Sequence, residues 1–271
     1  MLRGFYTAAS GMLAQQRLTD MLTNNLANAN TPGFKQDQSS IRDFPQLLLQ
    51  RMDQQSLPVK DAPSLPSFTQ VGSLSTGVYL QETQPKFLQG DLQNTGKKTD
   101  LAIVDQGTNS SADSFFTIQG EDGHVRYTRN GNFTLDQNGY LTQDNGLYVL
   151  DSNGNKIQLK SDQFTVDNNG NISENGNRVA TLGIAYTNKP MSLIKEGDGL
   201  YGTVNNAKLP ASQNTQFTLN QGFLEASNVD QTQVMTQMLA AYRSFEANQK
   251  VLQAYDQSMD KAVNEVGRVN G

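Results

Sequence analysis

Cysteine and tryptophan are absent from this chain of 271 residues, and His124 is its only histidine. Without thiols there is no disulfide framework and no thiolate-ligated metal site. Such a chain suits a protein that crosses a membrane unfolded or works outside the cell. One imidazole, beside a hairpin turn and expected to be solvated, gives almost no support to a histidine-based triad or a zinc site. No apolar run approaches the length of a membrane span. The first residues, MLRGFYTAASGMLAQQRL, contain one early arginine and no long apolar stretch, so no cleaved signal peptide is expected. Excess positive charge is missing too: the net charge is −5 and the isoelectric point about 4.9, which argues against a footprint on duplex DNA. The charge is spread evenly, at +1 over residues 1–44, −4 over 45–224 and −2 over 225–271. No Walker A loop and no dinucleotide fingerprint occurs.

What is present lies first at the two ends. Leu2, Phe5, Ala9, Met12, Gln16, Thr19, Thr23 and Leu26 follow steps of three and four, with Leu13 and Leu22 widening the stripe. That is helical period. Ala8-Ala9-Ser10-Gly11 would let another helix approach closely; the alternative reading is that Gly11 merely weakens the helix by about 1 kcal/mol relative to alanine. Asn24–Asn30 should end this helix, since asparagine tolerates the left-handed closing conformation, and Pro32 and Gly33 make a turn out of it. At the other end Ser227 or Asn228 is expected to cap a second helix, with Asp230 in its first turn. Met235, Met238, Tyr242, Phe245, Gln249, Leu252, Tyr255, Met259, Ala262, Val266 and Val269 then keep the three/four spacing. About forty helical residues would reach on the order of 60 Å. The mixture of Met, Tyr, Ala and Gln on this seam suits packing among several neighbours. The simpler alternative is a helix packed on its own domain.

The middle has a different period. Phe115–Ile118 and Val125–Thr128, Phe133–Leu135 and Tyr140–Thr142, Leu147–Leu150 and Lys156–Leu159, and Phe164–Val166 with Ile172 flank Asp-Gly or Asn-Gly turns. Short β-rich runs around such turns read as antiparallel hairpins. Arg178–Tyr186 reads as one longer strand. The fold class expected is α+β: terminal helices of residues 1–40 and 225–271 forming a coiled-coil-like assembly domain, and a central antiparallel β domain of residues 78–224. Residues 41–77, with Pro58, Pro63 and Pro66, read as an extended connecting segment. The Asp-x-Asn-Gly turns at Asp136, Asp151 and Asp167 invite a calcium reading, but glycine stands fourth in each, not sixth as in an EF-hand loop, and structural turns are expected. No residue is nominated as catalytic, metal-binding or cofactor-binding, and no small-molecule substrate or nucleic acid is implied.

Three stretches of this sequence carry a resemblance. Ala27-Asn28-Ala29-Asn30-Thr31-Pro32-Gly33-Phe34-Lys35 resembles the N-terminal signature of flagellar rod and hook proteins. Leu224-Glu225-Ala226-Ser227-Asn228-Val229-Asp230, and Tyr242 through Leu252 with Glu246 and Asn248, resemble their C-terminal signature. Asp100–Ile103, Phe115-Phe116, Asp122-Gly123 and Tyr127–Phe133 resemble the β domain of distal rod and hook proteins. The likeness is greatest to the distal-rod type found in Gram-positive bacteria such as bacilli. Val234 departs from a carboxylate usual in the family, Tyr242 from a glutamine, and the segment between Asp105 and Phe115 is longer than usual. The resemblance implies a non-enzymatic subunit whose terminal helices polymerise into the inner wall of a tube needed for motility. Its implied partners are copies of itself, other flagellar rod and hook proteins and the flagellar type III export apparatus. Its implied place is the basal body, outside the cytoplasmic membrane. The other reading is a secreted adhesin or cell-wall hydrolase with a helical oligomerisation stalk, although a stalk normally occupies one end only.

Overall fold

The computed structural model describes residues 2–45, 47–55, 65–74, 76–106, 113–212 and 216–264. It forms two compact units, one of Met1–Thr23, Ser39–Thr83 and Met235–Gly271, the other of Asn24–Gln38 and Gln84–Val234. The division differs from the one read in the sequence. The turn after the first helix and the segment entering the last helix belong with the β unit, because their polar groups are bonded there, as described below.

Helix α1 covers Leu2–Ala27 and helix α2 Gln231–Asn264. Their covered faces have a strict alternation of steps. On α1 none of Gly4, Ala8, Gly11, Gln15, Leu18, Leu22 and Asn25 is exposed; on α2 the same holds for Val234, Met238, Ala241, Phe245, Asn248, Leu252, Tyr255 and Met259. A step of seven residues is two helical turns, so each set is one seam. Gly4 faces Tyr255 and Gly11 faces Asn248. Seven residues up one helix therefore match seven down the other, and the two run antiparallel. A methyl group on Gly11 would stand 2.9 Å from the Asn248 amide nitrogen, so here the glycine is needed for close approach.

The segment expected to be an extended connection is paired strand. Ile41–Asp43 pairs antiparallel with Val78–Leu80. Leu47–Gln55 pairs with Leu65–Leu74, the register slipping once at Leu49/Gln50. The prolines suggested an extended run over a surface, but Pro66 sits near a strand start, where a missing donor is tolerated; Pro58 and Pro63 lie outside the described residues. Phe44 stacks on Tyr79 at 5.5 Å, and the Val78 amide donates to the Ser10 hydroxyl at 3.2 Å, tying this ladder to α1.

The β unit is built on an eight-stranded antiparallel sheet. Its path runs Phe133–Leu135, Leu141–Gln143, Tyr148–Val149, Asp113–Gln119, Val125–Thr128, Leu200–Gly202, Ile194–Gly197, with Ile184–Thr187 also pairing Asp113–Gln119. Leu101–Asp105 pairs with Phe217–Gln221. Phe116, Ile118, Phe133, Leu141, Phe164 and Ile172 lead the buried core. The run Arg178–Tyr186 is not one strand. It breaks into Asn177–Thr181, paired with Asn171–Glu174, and Ile184–Thr187, paired with Asp113–Gln119. Gly183 marks the break: it packs against the Leu150 and Asp151 carbonyls and the Thr117 side chain, where a Cβ has no room. A lone glycine inside a strand pattern is the signal for such a close approach.

The three Asp-x-Asn-Gly turns share one geometry. Oδ1 of Asp136 accepts from the amides of Asn138 and Tyr140, that of Asp151 from Asn153 and Asn155, and that of Asp167 from Asn169 and Asn171, all within 2.7–3.0 Å. The carboxylates close their own turns. Burial works against the Asp167 charge, but the Asn171 and Asn169 donors together outweigh it and hold its pKa below the usual value. Neither a chelator nor added calcium is expected to move the melting temperature. A calcium-dependent rise of several degrees would reassign these turns as metal ligands.

Candidate assembly site

The β unit gathers residues 28–37, 86–90, 129–130 and 224–228 into one knot. α1 ends as the Asn28 amide donates to the Asn24 carbonyl at 3.1 Å, and Thr31 and Phe34 fold back on Asn28 and Thr31. Gly33 has φ +69°, and a Cβ there would stand 2.6 Å from the Asn130 nitrogen. Only glycine meets both demands. With the turn seated there, the Gly33 amide donates to the Glu225 carbonyl at 2.7 Å. The next residues lie beside 225–228. Gln36 N donates to Asn228 Oδ1 at 2.7 Å. Asn228 Nδ2 donates to the carbonyls of Lys86 at 2.8 Å and Leu88 at 3.1 Å.

At the centre is a buried ionic cluster. Lys35 Nζ, wholly buried, donates to Glu225 Oε1 at 2.6 Å and to the Leu88 carbonyl at 2.8 Å. Glu225 Oε1 also accepts from the Gly90 amide at 3.0 Å. Arg129, equally buried, donates to Asp113 at 2.7 Å and pairs with Asp105; its Nη1 stands 3.6 Å from Glu225 Oε2, and its guanidinium lies 5.4 Å from the Phe115 ring centre. Burial, then the Arg129 charge, pushes the Lys35 pKa down despite Glu225. Burial also opposes the charge on Arg129, but Glu225, Asp105 and Asp113 more than offset it and hold its pKa up. Burial pushes the Asp113 pKa above the usual carboxylate value, against the pull of Arg129 and Lys35. Removing one member strands the rest away from water. Beside the cluster Lys195 Nζ bonds Asp37 at 2.8 Å and lies 4.4 Å from the Phe34 ring centre. The arrangement locks chain segments together. Among the described residues no group of three or more acidic or histidine side chains is placed to hold a metal ion.

Most of the motif residues have a structural task here. Asn30 Oδ1 accepts from Gln231 Nε2 at 3.4 Å. Thr31 Oγ1 donates to Asn28 Oδ1 at 3.2 Å. Pro32 and Val229 are half-buried and Phe34 is buried. Ser227 Oγ accepts from the Val229 amide at 3.3 Å. The cap of α2 is neither Ser227 nor Asn228. Asp230 Oδ1 accepts from the Gln233 amide at 3.0 Å, since Asn228 is committed to Gln36, Lys86 and Leu88. Glu246 bonds Lys250 one turn on at 2.8 Å, both exposed, a pair of small energetic weight. Asn248 faces Gly11.

The seam residues fall into two sets. Leu22 is buried, and Phe5, Ala9, Met12, Leu26, Met238, Phe245, Leu252, Tyr255 and Met259 are half-buried. Met235 and Tyr242 are 51 % and 55 % exposed, and Leu239 between them is 60 % exposed. These three form a second apolar stripe, one position round from the covered one. On α1 Tyr6 and Leu13, also exposed, repeat at two turns. Of Leu2 only the backbone is described, and Val266 lies outside the described residues. Sequence period alone merged the two stripes, because both recur every three and four residues. It missed Val234 and Ala241, which are buried: a stripe drawn through Met235 and Tyr242 runs one position beside them. It also missed the Lys35–Glu225–Arg129 contact, since nothing in a sequence pairs charges so far apart.

Family models place the same stretches. Residues 5–35 match the flagella basal body rod protein model, 111–174 the D1 domain of the flagellar hook protein FlgE/F/G, and 220–265 the C-terminal model of the flagellar basal body rod FlgEFG proteins. The chain is 44 % identical over 278 residues to the flagellar hook-basal body complex protein FlhO of Bacillus subtilis, covering 99 % of this chain and all of that one. It is 32 % identical to the basal-body rod protein FlgF of Caulobacter vibrioides, over 98 % of each. It is 31 % identical to FlgG of Bacillus subtilis, over 97 % of this chain and 99 % of that one. Likeness of this extent, over three matched stretches and the full length, makes the chain a member of the flagellar basal-body rod and hook family of non-enzymatic structural proteins.

Proposed function

We propose that this chain is an axial subunit of the distal-rod type. It polymerises through α1 and α2, with copies of itself and with other rod and hook proteins, into a tubular structure needed for motility. The observation that carries the reading is the second apolar stripe, Met235, Leu239 and Tyr242, left open on a helix whose other seam is already covered. Large exposed apolar groups in a row mark a surface for another protein. Tyr6 and Leu13 extend the argument to α1. The helices take the assembly role in a coiled-coil-like packing. The knot at 28–37 and 224–230 fixes, within the β unit, the segments that leave α1 and enter α2. The subunit travels unfolded through the flagellar type III export apparatus and works outside the cytoplasmic membrane; a cysteine-free chain supports this route, having no thiols to mispair on the way. FlhO, FlgF and FlgG are named as basal-body proteins, and nothing favours the adhesin or hydrolase reading.

The test is to blot isolated basal bodies for the chain and to assay swarming after deletion of its gene. The chain should be present in the basal bodies, and deletion should abolish swarming until the intact gene is restored. Normal swarming without the gene, or basal bodies lacking the chain, would overturn the reading.

A further inference from the structure

We propose that the β unit carries its own copy-to-copy contact: a groove rimmed by Lys86 and Lys189 receives the acidic hairpin end of a second copy, headed by Glu121 and Asp198. The inference rests on the reading that copies assemble, and adds a surface outside the helices. The groove has a volume of about 600 Å³, with Phe87, Leu88, Pro190 and Met191 among its lining residues. Leu88 is 48 % and Met191 58 % exposed. Among the described residues no carboxylate lines it. Neither the Lys86 nor the Lys189 ammonium has an ion pair among the described residues. It is thus an apolar floor with uncompensated positive charge on its rim.

The opposite sign is concentrated at the far end of one strand. Glu121, Asp122, Glu196 and Asp198 converge there around Arg126. Arg126 is taken by Asp122 at 2.8 Å and by Glu196. Glu121 and Asp198 are left exposed without an ion pair among the described residues. Asp198, with φ +48°, stands at the tip of the tight turn joining Ile194–Gly197 to Leu200–Gly202. Ser192 lines the groove beyond the other end of that strand, and the six residue steps from Ser192 to Asp198 span up to about 20 Å. A paired strand holds the two surfaces apart, so the acidic end does not fold into its own groove. One copy can therefore fill the next copy's groove and leave its own open, a head-to-tail contact of the kind that continues into a ring or helix. Opposite charges fix the register of such a contact and suppress wrong partners.

The experiment uses the full chain in cells lacking the native gene, and the absence of native cysteine makes it clean. Cells co-producing Lys189→Cys and Asp198→Cys chains should yield, on mild oxidation of isolated basal bodies, a covalent dimer of the chain. Cells producing either variant alone should not. Lys189→Glu should lower incorporation about tenfold, the effect of one lost charge contact, and Lys189→Glu with Asp198→Lys should restore it to within about twofold. Incorporation of both cysteine variants without the dimer would overturn the inference, as would a cross-link to a different protein. So would wild-type incorporation of Lys189→Glu, or failure of the exchanged pair to restore it. In each of these cases the intact chain is still in the basal bodies; its absence from them would sink the assembly reading itself.

Discussion

Arg129→Ala is expected to destabilise the β unit by about 3–5 kcal/mol, the usual consequence of removing one partner from a buried ion network. Asp113 and Glu225, both buried, and the partly exposed Asp105 would then have one cation, Lys35, among them. Urea unfolding reads the energy directly, and the melting midpoint should fall by roughly 10 °C for a unit of this size. The loss has a pH signature. Burial already raises the Asp113 pKa, and Arg129 is the largest opposing influence on it. Without Arg129 the folded state would hold the Asp113 proton still more tightly than the unfolded chain. A group with a raised carboxyl pKa gains stability as pH falls through that pKa. The deficit of the variant should therefore shrink from pH 7 toward pH 5. A deficit below about 0.5 kcal/mol, in the range of ordinary surface changes, would mean that the cluster does not hold the unit together. A deficit that grew on acidification would refute the charge argument.

Two carboxylate substitutions on α2 should both abolish swarming and incorporation into basal bodies, for different reasons. Phe245 is half-buried, on the stripe that brings Asn248 and Tyr255 against Gly11 and Gly4. A charge there loses water without a partner, at a cost of several kcal/mol, so Phe245→Asp should loosen α2 in the isolated chain, seen as lost helical dichroism. Leu239 is already in water. Leu239→Asp should change the isolated chain by no more than about 0.5 kcal/mol, yet remove the centre of the open stripe. Ser244→Asp, on an exposed position off both stripes, is the tolerated control. Normal swimming by Leu239→Asp would remove the stripe as an assembly surface, whatever Phe245→Asp does.

The periodicity of this sequence determined the α+β class, the helical ends and most of the hairpins. Those are local matters: step length, turn glycines and asparagine stops act within a few residues. Composition alone ruled out thiol chemistry. The motif residues 28–35 and 224–230 could be quoted from the sequence, but only the tertiary structure showed why they matter together: Gly33 seats on the Arg129–Asn130 backbone, and Lys35 meets Glu225. Charge pairing between distant segments depends on where the chain returns, and no local pattern encodes that. The structure also decided which apolar stripe is covered. Met235 and Val234 are neighbours in sequence, and a rotation of 100° about the helix axis, the angle of one residue, separates an exposed side chain from a buried one. Pairing of 41–43 with 78–80 and of 47–55 with 65–74 was hidden by prolines, and the break at Gly183 by an unbroken β-rich run. In both places the hydrogen-bond partner across the ladder, not the propensity of the segment, set the outcome.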